Sequence, residues 1–160
     1  PNQFYRIKDI GKFKTLALQE IVKDFTGTEI TIINEKVTEN FDFGFLDLNT
    51  IVIFCLDNIP TRKLIFDKLK DLPIKLIDTR MGGEGYQIYT LDLDNEEDIK
   101  NYEERLKMPV KEATCGEKSV IYTILNIASE TCNLVKRIDK GEDYKKIIKR
   151  EMKTYNFISG

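Results

Sequence analysis

Histidine is absent from all 160 residues. That excludes Ser-His-Asp and Cys-His nucleophile systems and every His-ligated metal centre, leaving carboxylates, lysine, arginine, cysteine or a bound phosphate to carry any chemistry. Cysteine is scarce: Cys55, Cys115 and Cys132 form no C-x-x-C pair, so a four-cysteine zinc site is excluded and no zinc is expected. An odd, sparse set suits a reducing compartment. Charge of one sign is also lacking. With 25 basic against 27 acidic residues the net charge is -2, which offers no global field for nucleic acid or an anionic membrane, and neither partner is expected. No apolar run approaches the roughly 20 residues of a membrane span, and no basic-then-apolar leader opens the chain. These absences predict a soluble, cytoplasmic protein. The first residue is Pro1 and not Met, so the N-terminus is read as incomplete.

What is present is apolar content of 41%, enough for the core of one domain. Leu18, Ile21, Val22 and Phe25 recur at helical spacing over Thr15 to Phe25, with Gly27 at the C-cap position. Strands are expected over Glu29 to Asn34 and, as a buried parallel strand, over Ile51 to Leu56, with a loop from Asn40 to Asn49 between them. Pro60 opens a helix through Ile65, Leu69 and Leu72. Ile74 to Asp78 reads as a strand, Gly82, Gly83 and Gly85 as a turn, and Tyr86 to Leu93 as a further, antiparallel strand. The acidic segment Asp92 to Glu104 carries a short exposed helix. Val120 to Ile138 is a long helix ended near Gly141, and Tyr144, Ile147, Ile148 and Met152 define one more. Lysines from Lys136 to Lys153 could form a basic patch for an acidic partner, but Glu142, Asp143 and Glu151 are interspersed and favour a solvated helix face. The alternation predicts a single α/β domain, a Rossmann-like layered sheet, mostly parallel with an antiparallel extension.

The most informative stretch is Ile51 to Arg62, I-V-I-F-C-L-D-N-I-P-T-R. Open parallel sheets bind ligands outside the carboxyl ends of their strands, where Asp57 falls. A carboxylate there can hold Mg2+ beside nucleotide phosphates. Alternatively Asp57 and Asn58 only cap the next helix. Arg62 could reach a phosphate or pair with Asp57, or it could make a helix-surface ion pair. Cys115, just before a helix start, is either an activated thiolate or an ordinary thiol. Cys55 and Cys132 read as core cysteines.

A strand ending in Asp57-Asn58 with Arg62 four residues later resembles the ThiF/MoeB family, relatives of the ubiquitin-activating enzymes. Asn2, Gln3 and Phe4, followed by Gly11, Lys12, Phe13 and Lys14, look like its N-R-Q-F segment and G-x-x-K. Arg80, Met81, Glu84, Gly85 and Gln87 look like its R-M-E-G-Q turn. The resemblance implies ATP-dependent adenylation of the C-terminal carboxylate of a small ubiquitin-like or sulfur-carrier protein by a homodimer. It implies that Lys14 contacts the ATP phosphates and that Asp57 binds Mg2+. Gln3, Asn58 and Arg62 would line the site, and Cys115 falls where some members place a sulfur-accepting cysteine. The family's glycine-rich phosphate loop would lie upstream of Asn2, and Asn2 itself stands where the family has arginine. A catalytically silent binding or dimerisation platform, or another nucleotide-binding Rossmann-like domain, therefore stands beside the enzyme reading.

Overall fold

The computed structural model describes residues 4–108 and 120–160. The chain forms two compact units, residues 1–41 and 42–160.

In the first unit a 3-10 turn, Ile7–Asp9, precedes helix α1, Lys14–Thr26. The helix ends as expected at Gly27, whose φ of 72° is the left-handed conformation that a residue without Cβ adopts at no steric cost. Arg6 and Lys12 tie the turn to the helix: Arg6 donates to Asp9 at 2.8 Å and to Glu20 at 3.0 Å, and Lys12 to Glu20 at 2.7 Å. The strand expected over Glu29 to Asn34 does not form. The segment runs beside α1, where the Gln19 amide donates to the Ile30 carbonyl at 2.7 Å and the Thr15 hydroxyl to the Asn34 side-chain oxygen at 3.1 Å. Isoleucine-rich sequence is no strand without a ladder partner to satisfy its backbone.

In the second unit five strands form one sheet in the order β1-β2-β3-β4-β5. They are β1 (Ile51–Phe54), β2 (Lys75–Gly82), β3 (Gly85–Asp92), β4 (Ile147–Glu151) and β5 (Asn156–Ser159). Only β1 and β2 are parallel, linked by α2 (Ile59–Leu69), so the expected mostly parallel sheet is corrected to a mixed one among the described residues. β1 lies at the edge of this sheet, with Ile53 exposed, where full burial was expected. β2 and β3 form a hairpin whose Gly82–Gly85 pair closes a two-residue turn, with Gly83 at φ 56°.

The helix expected around Tyr144 to Met152 is instead the strand β4, and β5 returns against it. Ile147, Ile148 and Met152 match helical spacing, but Ile148 faces inward beside Ile88 while its neighbours turn away, the period-2 arrangement of a strand. The lysines of this region therefore do not share one helix face.

The register places Ile77, Ile88 and Ile148 on one side of the sheet, where they pack with Leu134 of α4 (Ile121–Lys140). Leu76, Asp78 and Tyr89 face the opposite side, where α2 and α3 (Glu96–Lys107) lie and the rings of Phe66 and Tyr102 meet at 4.8 Å. α3 was expected to be short and exposed; it has 12 residues and buries Tyr102 and Asp98. α4 ends at Gly141, as its pattern indicates. Among the described residues no helix is long and apolar enough to cross a membrane.

Candidate functional site at the end of strand β1

β1 ends at Phe54, and the chain turns through Asp57 into α2. Asn58 organises this turn with both ends of its amide. Its oxygen accepts from the Thr61 backbone N–H at 2.8 Å, capping α2, and its nitrogen donates to the Asp57 carboxylate at 2.8 Å. Ile59 and Pro60 open the helix, and a proline costs nothing there because that first-turn N–H has no helical acceptor. Capping thus belongs to Asn58. The Asp57 carboxylate is exposed and takes no part in it.

Arg62 makes neither of the two ion pairs expected of it. It pairs with neither Asp57 nor a surface carboxylate but is 3% exposed and donates to Asp78, the last paired residue of β2 opposite Phe54. Its second terminal nitrogen donates to the Leu56 carbonyl and, at 2.9 Å, to the Thr79 carbonyl. The physical reason is position: the first turn of α2 lies over the sheet face that carries Asp78, so a side chain pointing inward meets that carboxylate.

Asp78, fully buried, accepts from Arg80 Nε at 2.6 Å and from the Tyr102 hydroxyl at 2.8 Å through its other oxygen. Two arginines thus share one carboxylate. Burial lowers the Arg62 pKa, with the charge of Arg80 adding to the effect, and burial raises that of Tyr102. Arg80 also lies over the Tyr89 ring at 4.9 Å, while one of its terminal nitrogens is buried without a hydrogen-bond partner. Asp78 and Tyr102 are the residues that sequence reasoning missed. The only sequence signal was an Asp directly after the apolar pair Leu76 and Ile77.

Lys14 is the first residue of α1 and is exposed. Gln3 and Cys115 lie outside the described residues. Cys55 and Cys132, expected in the core, are both exposed: Cys55 follows the last residue of β1, and Cys132 sits next to buried Thr131 on the outer side of α4. The Thr79 hydroxyl lies 3.8 Å from the Cys55 sulfur and donates to the Phe54 carbonyl at 2.6 Å.

No group of three or more acidic or cysteine side chains placed to hold a metal ion is present among the described residues. Mg2+ does not need one, because it is commonly held by one or two carboxylates together with phosphates and water, and an exposed, oriented Asp57 fits as one such ligand. Two cavities of about 80 and 390 Å3 lie elsewhere, against β3 with α3 and against α4 with β4 and β5.

The fold and this turn define an α/β domain with an oriented carboxylate at the carboxyl end of a parallel strand. The chain belongs to the ThiF family, whose model matches residues 2–158. Among solved structures it is similar to that of selenomethionine PaaA, with a TM-score of 0.63 and 15% identity over 98% of this chain and 57% of the other. That likeness is one of fold, and this chain spans less than two thirds of PaaA. No significant match is found among curated proteins.

Proposed function

We propose that this chain is part of an adenylating enzyme that uses Mg-ATP to activate the C-terminal carboxylate of a small ubiquitin-like or sulfur-carrier protein, working as a homodimer. The observation that supports this most is the exposed Asp57, held by Asn58 at the end of β1 in a chain of the ThiF family. A carboxylate oxygen of the acceptor protein would attack the α-phosphorus of ATP, forming an acyl-phosphate bond as the bond to pyrophosphate breaks. Both reactants are anions, so the site has to neutralise charge and align the attack. Asp57 holds Mg2+ for this purpose, and the metal supplies charge neutralisation at the phosphates. Lys14 contacts the phosphates, and Gln3 and Asn58 contribute polar groups to the nucleotide. Cys115 is proposed as the nucleophilic cysteine, in the place where some members of the family have a sulfur-accepting one. No zinc is required.

The test is ATP-pyrophosphate exchange by the full native polypeptide with candidate ubiquitin-like proteins. Asp57→Ala should abolish exchange and leave partner binding intact. A second reading, a silent platform, is favoured by Asn2 standing where the family has arginine. Exchange absent from the wild type, with partner binding retained, would establish that reading instead.

A further inference from the structure

Parallel pairing of β1 with β2 stops at Phe54–Asp78, and two carbonyls just beyond it, those of Leu56 and Thr79, have left that ladder. Both point at the same guanidinium: Arg62 donates one nitrogen to Leu56 and Thr79 and the other to Asp78. The arginine thereby continues the junction between the two strands past the last backbone pair. A planar fork of donors suits this geometry, and a single ammonium does not. Leu56 is the residue immediately before Asp57, so its carbonyl fixes one side of the acidic turn while Asn58 fixes the other. Behind the arginine, Tyr102 of α3 holds the far oxygen of Asp78, and its ring is packed against Phe66 of α2. Three elements, α2, β2 and α3, are therefore joined to the turn through buried polar contacts.

We propose that Arg62 is a positioning residue for Asp57, with Asp78 and Tyr102 as its support, and that it acts on the adenylation step through the backbone at Leu56 and not by touching nucleotide. The inference rests on the adenylating function proposed above. A metal-holding carboxylate needs a place fixed to a fraction of an ångström, and a displacement of about 1 Å costs roughly a hundredfold in rate. The fork supplies that constraint from the buried side, out of reach of solvent competition.

The experiment compares Arg62→Lys and Tyr102→Phe with wild type in the full native polypeptide, using two readouts. The first is amide hydrogen exchange at residues 56–61 against that at β3. The second is ATP-pyrophosphate exchange resolved into kcat and KM for ATP. Both variants should speed exchange at the turn without altering β3. Arg62→Lys should lower kcat by about tenfold or more while leaving KM nearly unchanged, the mark of misplacement and not of a lost ligand. Tyr102→Phe, which removes one hydroxyl and keeps the ring, should do the same to a smaller degree. A raised KM with unchanged amide exchange would overturn the proposal, because Arg62 would then be a nucleotide ligand. Equal acceleration at the turn and at β3 would also overturn it, because the residues would serve overall stability alone. If the wild type shows no pyrophosphate exchange, the adenylation reading fails on its own, and the amide readout still decides whether Arg62 holds the turn.

Discussion

Two aspartates, each bound by an arginine, divide the molecule's two units. In residues 1–41, Asp9 is held by Arg6 with Lys12, Glu20 and Asp24 around the pair, and Ala17 is the only buried apolar residue among those described. In residues 42–160, Asp78 sits beneath Arg62, Arg80 and Tyr102 in a sheet face covered by helices. Asp9 is shielded by its own partners, whose charged ends remain open to water, while Asp78 is shielded by a core. The same pairing therefore has different consequences. In the first unit it is a screened attraction that salt and acid weaken; in the second, each partner depends on the other because no water can replace it.

Removing the buried carboxylate should have the largest effect. Asp78→Ala leaves two arginines and a tyrosine hydroxyl without their acceptor, and a loss of about 3–5 kcal/mol is expected from breaking a buried pair. Urea unfolding followed by circular dichroism measures it; a loss below about 1 kcal/mol, the scale of an exposed pair, would erase the distinction between the units. Next in size is the cap that serves the acidic turn. Asn58→Ala removes the acceptor of the Thr61 N–H and should cost about 1 kcal/mol, whereas Asn58→Asp keeps the cap and loses the donor to Asp57.

The smallest effect belongs to Asp9. Hydrogen bonding to Arg6 holds its pKa down to about 2 from an ordinary value of 3.8. A depressed carboxylate stabilises above its unfolded pKa and loses that contribution as pH falls through its folded one, so α1 should loosen between pH 4 and 2. Glu20, lowered chiefly by its hydrogen bond to Lys12, shifts in the same direction. Carbon chemical shifts along α1, followed through that window at low and high salt, test this. Shifts that ignore salt would mean the network contributes little.

How much of this could be read from the sequence depends on the range of the interaction. α1, α2 and α4 announce themselves by apolar spacing and by Gly27, Pro60 and Gly141 at their ends, all local signals. The β2–β3 hairpin is equally local, because Gly82, Gly83 and Gly85 lie between two alternating runs. β4 was misread because Ile147, Ile148 and Met152 satisfy helical spacing as well as strand alternation, and only the neighbouring β3 decides between them. Glu29 to Asn34 failed the other way, since a strand requires a partner that periodicity does not record. At the candidate site, the position of Asp57 and Asn58 at a strand-to-helix junction was legible. The partners of Arg62 were not, because its acceptor lies 16 residues away and that acceptor's tyrosine a further 24.

The sheet's order has a consequence for how this chain is made. Its five strands stand side by side in the sequence in which they leave the ribosome. Among the described strands none has to be threaded between two that have already paired; each docks on the edge left by the one before it, whether by the β2–β3 and β4–β5 hairpins or by the longer returns through α2 and through α3 with α4. Assembly during synthesis thus has a direction built into it. Among these five strands, β1 and its acidic turn emerge before the strands that dock after them.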